Sequence, residues 1–136
     1  MSFDLFVGSF IGGERASFPA TVLRGAFGPF IIETEPKWFV LSFGPDVSDK
    51  CALYVDTNAD QIDSFSIDPL DDSRLYEALF SILKIPGLTL YMPGSCPPLV
   101  GHAETAEHLP AEMIQTLGEA LLLKAASEIP ERIRQS

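Results

Sequence analysis

Three constellations in this chain have residue types and spacings that could do chemistry. Asp56-Thr57-Asn58-Ala59-Asp60 opens like a calcium loop, with oxygen-bearing side chains at alternate positions. The pattern then stops: Gln61 stands where the sharp turn needs glycine, and Ile67 where a bidentate glutamate would sit. Asp and Asn are also favoured in hairpin turns because they bond their own backbone, so the segment reads as a turn. His102, Glu104, Glu107 and His108 crowd four potential metal ligands into one short span. On a helix Glu104 and His108 would share a face while His102 and His108 would not, and no third ligand announces itself elsewhere. The span reads as a polar surface helix with two ordinary histidines, and neither a metal nor another cofactor is expected.

The third constellation is Cys96, in Gly94-Ser95-Cys96-Pro97-Pro98 after a strand and close in sequence to His102. A cysteine nucleophile needs a cationic neighbour or a helix N-terminus, and this surrounding is apolar and proline-rich. Ser95 lacks the frame of a nucleophile elbow. Dinucleotide, phosphate-loop, zinc-protease and kinase signatures are missing. Asp56, Asp63 and Asp68 could include an acid/base pair, but in so acidic a region two neighbouring carboxylates are expected by chance. A small enzyme with its site around the Cys96–His108 loop is therefore the alternative reading. A non-enzymatic protein is the leading one.

The elements that would position these residues follow from periodicity. Phe3 to Ile11 is apolar at both parities, which predicts a strand that is central or covered on both faces, stopped by Gly12-Gly13. Pro19 suits the first turn of a short helix through Val22, Leu23, Ala26 and Phe27, ended by Gly28-Pro29. Phe30 to Glu33 is a short strand or an extended connection. Trp38 to Phe43, Cys51 to Asp56 and Ile62 to Ile67 read as strands joined by polar turns, an antiparallel meander. Asp71 and Asp72 cap a helix to about Lys84, with Leu75, Leu79, Ile82 and Leu83 inward and Tyr76 and Phe80 at the margin. Leu88 to Met92 is a strand, Pro93 to Pro98 a rigid loop, and Pro110 opens a helix through Met113, Ile114 and Leu117 that Gly118 ends. Ala120 to Lys124 is a strand or the start of a last helix carrying Ile129 and Ile133. The expectation is one α+β domain over 1–136, an antiparallel sheet with a meander core and helices packed mainly on one face.

Composition agrees with that size. Of 136 residues, 46% are apolar and ten are phenylalanine, enough for a core without staples. Two cysteines, Cys51 and Cys96, make no disulfide framework and read as reduced buried thiols. The start at Met1-Ser2-Phe3-Asp4 has no basic n-region or apolar h-region, so a signal peptide is not expected and the location reads as cytoplasmic. No apolar run is long enough to span a membrane. A net charge of −10 with scattered Lys and Arg disfavours nucleic acid and anionic membrane surfaces as partners, and favours a basic protein.

The acids are not spread evenly. Asp46, Asp49, Asp56, Asp60, Asp63, Asp68, Asp71, Asp72 and Glu77 face only Lys50 and Arg74 in the same stretch. Several fall where turns and helix caps want them, but together they suit a single negative end of the meander that steers a basic partner. The expected contact residues are Asp56, Asp60, Asp63 and Asp68, with Tyr54 and Tyr76 as aromatic anchors. A homodimer on an exposed strand edge is a further expectation.

Met1-Ser2-Phe3-Asp4-Leu5-Phe6-Val7, Phe18-Pro19, Tyr54-Val55-Asp56, Phe65-Ser66-Ile67, Tyr91-Met92-Pro93-Gly94 and His108-Leu109-Pro110 resemble a family of small uncharacterised bacterial proteins along nearly the whole chain. In size, acidity and architecture the chain is also similar to immunity proteins of bacterial toxin–immunity systems. That likeness implies neutralisation of a basic toxin by contact, and it carries over no particular residue.

Overall fold

The computed structural model describes residues 4–92 and 96–135, and its first strand is β1 (Leu5–Ile11). Phe3, expected to begin that strand, and residues 93–95 of the proline-rich loop lie outside the described residues. Apolar side chains at both parities bury β1 on both faces, with Leu5 and Val7 in one cluster and Phe10 in the other. Gly12 and Gly13 take φ of 62° and 82°, so the chain reverses in two residues and returns as β2 (Glu14–Arg15). The glycines thus build a hairpin as well as stopping a strand.

β3 (Phe18–Pro19) leads into α1 (Ala20–Phe27), where Pro19 sits at the cap and Ala20, Leu23 and Phe27 are buried. After a 3₁₀ turn at Gly28–Phe30 come β4 (Ile31–Glu35), β5 (Trp38–Ser42), β6 (Lys50–Tyr54), β7 (Gln61–Ile62) and β8 (Ser64–Ile67). β4, β5, β6 and β8 are successive antiparallel neighbours, which is the expected meander extended by one strand. β7 leaves that ladder to pair with β3. α2 (Ser73–Leu83) begins at Asp72, whose side chain accepts a hydrogen bond from the Arg74 amide at 2.9 Å.

β9 (Leu88–Tyr91), β10 (Leu99–Val100), a 3₁₀ turn at Ala103–His108, α3 (Ala111–Leu117), β11 (Leu121–Leu122) and α4 (Glu128–Gln135) complete the chain. Gly118, at φ 99°, ends α3 as expected. The segment left open at 120–124 contains a strand: β11 pairs parallel with β10, while every other ladder among the described residues is antiparallel. The sheet order is β11-β10-β9-β1-β8-β6-β5-β4, with β2 attached to β1.

Alternation then sorts the side chains into two layers. Leu5, Val7, Leu41, Leu53, Ile67 and Leu90 meet Leu23 and Phe27 of α1, Leu75, Leu79 and Leu83 of α2, and Ile129 of α4. On the other face Phe10, Val100 and Leu109 make a small cluster with Met113 and Ile114 of α3. The fold is α+β with a mainly antiparallel sheet and helices mainly on one face. Among the described residues no helix is long and apolar enough to cross a membrane.

Thr89, on β9 opposite Gly8 and Val100, is completely buried. Its hydroxyl has no hydrogen-bond partner among the described residues. A buried unpaired hydroxyl destabilises, so Thr89→Val is expected to raise stability by about 1 kcal/mol. Urea unfolding would show a higher midpoint at unchanged slope, and a lower midpoint would mean that the hydroxyl is engaged.

Candidate binding surface

The helices leave much of the second sheet face bare, and the strand registers decide which side chains stand on it. Glu35 opposes Trp38, Trp38 opposes Tyr54, Tyr54 opposes Ser66, Ser66 opposes Phe6, and Phe6 opposes Tyr91. Directly opposed residues share a face, so these form one row across β4, β5, β6, β8, β1 and β9. At about 4.8 Å between strands the row is about 24 Å long. Phe6 and Tyr91 stack with centroids 5.7 Å apart. Trp38 is 39% and Tyr54 42% exposed, where a solvated face would ordinarily carry polar side chains.

A second row runs beside it. Glu33 opposes Val40, Val40 opposes Ala52, and the Ala52 carbonyl accepts from the Asp68 amide at 3.1 Å. Asp4 follows, because Leu5 opposes Ile67 and the next pair outward is Asp4 with Asp68. Four carboxylates therefore stand on this face, Glu33 and Glu35 on β4 and Asp4 and Asp68 just outside β1 and β8, with Lys50 opposite Ser42 as a counter-charge.

Asp4 and Asp68 touch. Their side chains share a hydrogen bond, which requires a proton between two like-charged groups, and this raises the Asp68 carboxyl above its ordinary range. Partial burial and the Asp4 charge push in the same direction, while the Tyr54 hydroxyl, donating to Asp68 at 3.3 Å, opposes them. The Asp68 charge, more than burial, raises the Tyr54 phenol. The face thus carries an aromatic floor and a carboxylate pair poised to gain a positive partner.

The expected contact residues divide. Tyr54 and Asp68 belong to this face. Asp56 and Asp63 line a cleft of about 340 Å³ where β6 and β8 splay apart, together with Ser17, Val55, Gln61 and Ser64. Asp60 is not among its lining residues; its carbonyl receives the Ala20 amide at the start of α1. Tyr76 does not serve as a surface anchor, since it is 6% exposed. Ala126, Ser127 and Pro130, which lead into and begin α4, lie across a crevice from it, and burial raises its phenol. Nothing local in α2 announces that cover.

The single negative end is also corrected. Asp46 and Asp49 cap the turn before β6, and Asp72 is held there through Arg74, which bonds both Asp72 and the Phe43 carbonyl. Asp56, Asp60 and Asp63 follow the other end of β6. Five residues of strand, about 17 Å, separate the two groups. Each group is spent largely on local structure: the Asn58 amide donates to Asp56 Oδ1 at 3.0 Å, the turn expected in place of a calcium loop.

The alternative site is dispersed. His102 Nδ1 accepts from the Glu104 amide and His108 Nδ1 from the Gly12 amide, both at 3.1 Å. Their segment is a 3₁₀ turn, in which residues four apart do not stack, so Glu104 and His108 lose the common face that a helix would give them. Cys96 is 5% exposed and packs in the larger core. Burial raises its thiol against a smaller opposing effect of Arg132. Cys51 is pushed up to about 12, by burial first and then by Asp68.

Sequence reasoning missed Asp4, Phe6, Glu33, Glu35, Trp38 and Tyr91 as surface residues. The signal was present in β5, where Trp38 and Val40 alternate with the buried Phe39 and Leu41, but alternation alone does not say which face stays open. Comparison with protein-family profiles, with curated proteins and with solved structures finds no match to this chain.

Two outcomes follow from this surface. A raised carboxyl contributes stability at pH below its unfolded value and loses it as pH rises through the raised one. At neutral pH Asp4 and Asp68 therefore repel, and Asp68→Asn is expected to stabilise by about 0.2–1 kcal/mol. The gain should shrink at acid pH, as the raised Asp68 carboxyl takes up its proton in the parent; the lowered carboxyl of Asp72 is common to both proteins and cancels. Denaturant titrations at the two pH values measure the difference, and an equal gain at both would contradict the shared proton. Separately, neither thiol should react with a disulfide reagent at pH ~8 faster than the protein opens. Labelling of Cys96 at the rate of a free thiol would restore the case for a nucleophile.

Proposed function

We propose that this chain is a non-enzymatic binding protein that takes a basic protein partner on the open face of its sheet. The observation that carries the reading is the row Trp38–Tyr54–Ser66–Phe6–Tyr91, edged by Asp4, Asp68, Glu33 and Glu35. Rigid aromatic side chains on strands are good anchors, because little conformational freedom is lost on contact. Guanidinium groups stack on Trp and Tyr and pair with carboxylates, so an arginine-bearing surface meets both halves of this face. The acids beyond both ends of β6 add a long-range field that speeds association.

The particular form of this reading is a cytoplasmic immunity protein of bacterial type, neutralising a basic toxin by covering it. The charge of −10 and the absence of a committed catalytic constellation in the sequence favour that form over an enzyme.

The product of the neighbouring reading frame is the partner to test. Trp38→Ala and Tyr54→Ala should each weaken its binding about tenfold or more, chiefly through faster dissociation. Asp60→Lys and Asp63→Lys should slow association and reduce its salt dependence. Binding that ignores both salt and the aromatic substitutions would sink the reading.

A further inference from the structure

The same face ends in an open strand edge, and the two ends of the sheet are not alike. β11 offers two residues, Leu121–Leu122, too short to template a further strand. β4 offers five, Ile31–Glu35, four of them exposed, and no strand among the described residues lies on its outer side. Exposed edges are usually blunted by lysine, proline, a bulge or a cover. Here the strand carries a register shift between Ile31 and Glu33, leaves Ile32 50% exposed, and holds only glutamates as charges. The Ile31 amide already donates to the Gly28 carbonyl and the Glu35 carbonyl receives the Thr57 hydroxyl, so the free stretch is 32–34.

We propose that the edge of β4 takes an extended basic segment of the partner as an additional strand; this rests on the binding function above. Main-chain hydrogen bonds supply the register-independent part of such an addition, and alternate side chains supply selectivity. Glu33 and Glu35 share the open face, so every second residue of the incoming strand is Arg or Lys. Trp38, opposite Glu35 and one strand further in, receives the stacked guanidinium. A second copy of this chain is the wrong occupant. Two-fold pairing that continues the sheet, centred on Glu33 or on Thr34, places Glu33 against Glu33 or against Glu35.

The probe is a short capped peptide alternating arginine with threonine, compared with the same peptide methylated on alternate backbone nitrogens. Nuclear magnetic resonance of the whole chain at low salt would follow amide exchange across 31–35 and the Trp38 indole. The unmodified peptide is expected to slow exchange in β4 at least ~10-fold at saturation. The methylated one should bind at least ~10-fold more weakly, because one edge of its ladder is blocked. The exposed double variant Glu33→Lys, Glu35→Lys should lose the peptide while keeping the parent's circular dichroism. Equal binding of both peptides, with Trp38 perturbed and β4 unprotected, overturns strand addition and leaves the open face as the binding surface. No binding of either peptide overturns strand addition, and the neighbouring-frame partner then judges the wider reading by itself. A concentration-dependent dimer in sedimentation, abolished by the glutamate substitutions, would assign the edge to a second copy and overturn the proposal.

Discussion

The antiparallel pairing of β1 with both β8 and β9 is the constraint on which the rest of this structure depends. β1 is the earliest strand among the described residues, yet β8 and β9 come some sixty to eighty residues later. Until Leu88–Tyr91 arrives, one side of β1 has unpaired backbone, and its apolar residues of both parities have cover on one side alone. Closure of that long loop costs entropy that only the finished sheet offsets. It also joins the meander to the small β9–β10–β11 half, so both clusters of buried side chains meet on one strand. Ser9 and Phe10 extend the tie, bonding to the Asp63 and Gly87 carbonyls at 3.0 and 2.9 Å.

With β1 central, helix placement decides what stays open. α1 and α2 fall on the same side because Leu23, Phe27, Leu75 and Leu79 need the face carrying Leu5, Val7 and Ile67. Among the described residues the opposite face receives α3 and Leu109, over the Phe10 and Val100 end. Four strands of meander are left bare on that side. Large aromatic side chains there are partly shielded by one another, as with Phe6 and Tyr91, and Trp38 and Tyr54 remain in contact with water. A protein that only needed solubility would gain by placing polar groups at those positions. The carboxylate pair Asp4–Asp68 points the same way, since like charges directly across a ladder destabilise it.

Polar chemistry elsewhere in the chain is absorbed by structure. His102 caps a turn, and His108 holds the Gly12 end of the β1–β2 hairpin. Asp56 closes its own turn, Asp46 and Asp49 cap each other's backbone, and Arg74 binds the start of α2 to the end of β5. These groups were visible in the sequence, His102, His108 and Asp56 as candidates for chemistry. Their backbone partners, such as Gly12 for His108 and Phe43 for Arg74, lie far away in the chain and were not.

By itself the sequence determined what is local. Periodicity and punctuation by Gly, Pro and Asp settled the strands of the meander, α2 with its Asp72 cap, α3 between Pro110 and Gly118, and the α+β class, because each depends on residues a few positions apart. The tertiary structure alone decided strand order, the parallel pairing of β11, the burial of Tyr76 behind the segment that begins α4, and the separation of the acids to two ends of β6. It alone assembled Glu35, Trp38, Tyr54, Ser66, Phe6 and Tyr91 into a row. The reason is physical: an alternating strand has two chemically distinct faces, and which of them meets water is fixed by where distant helices find their apolar partners.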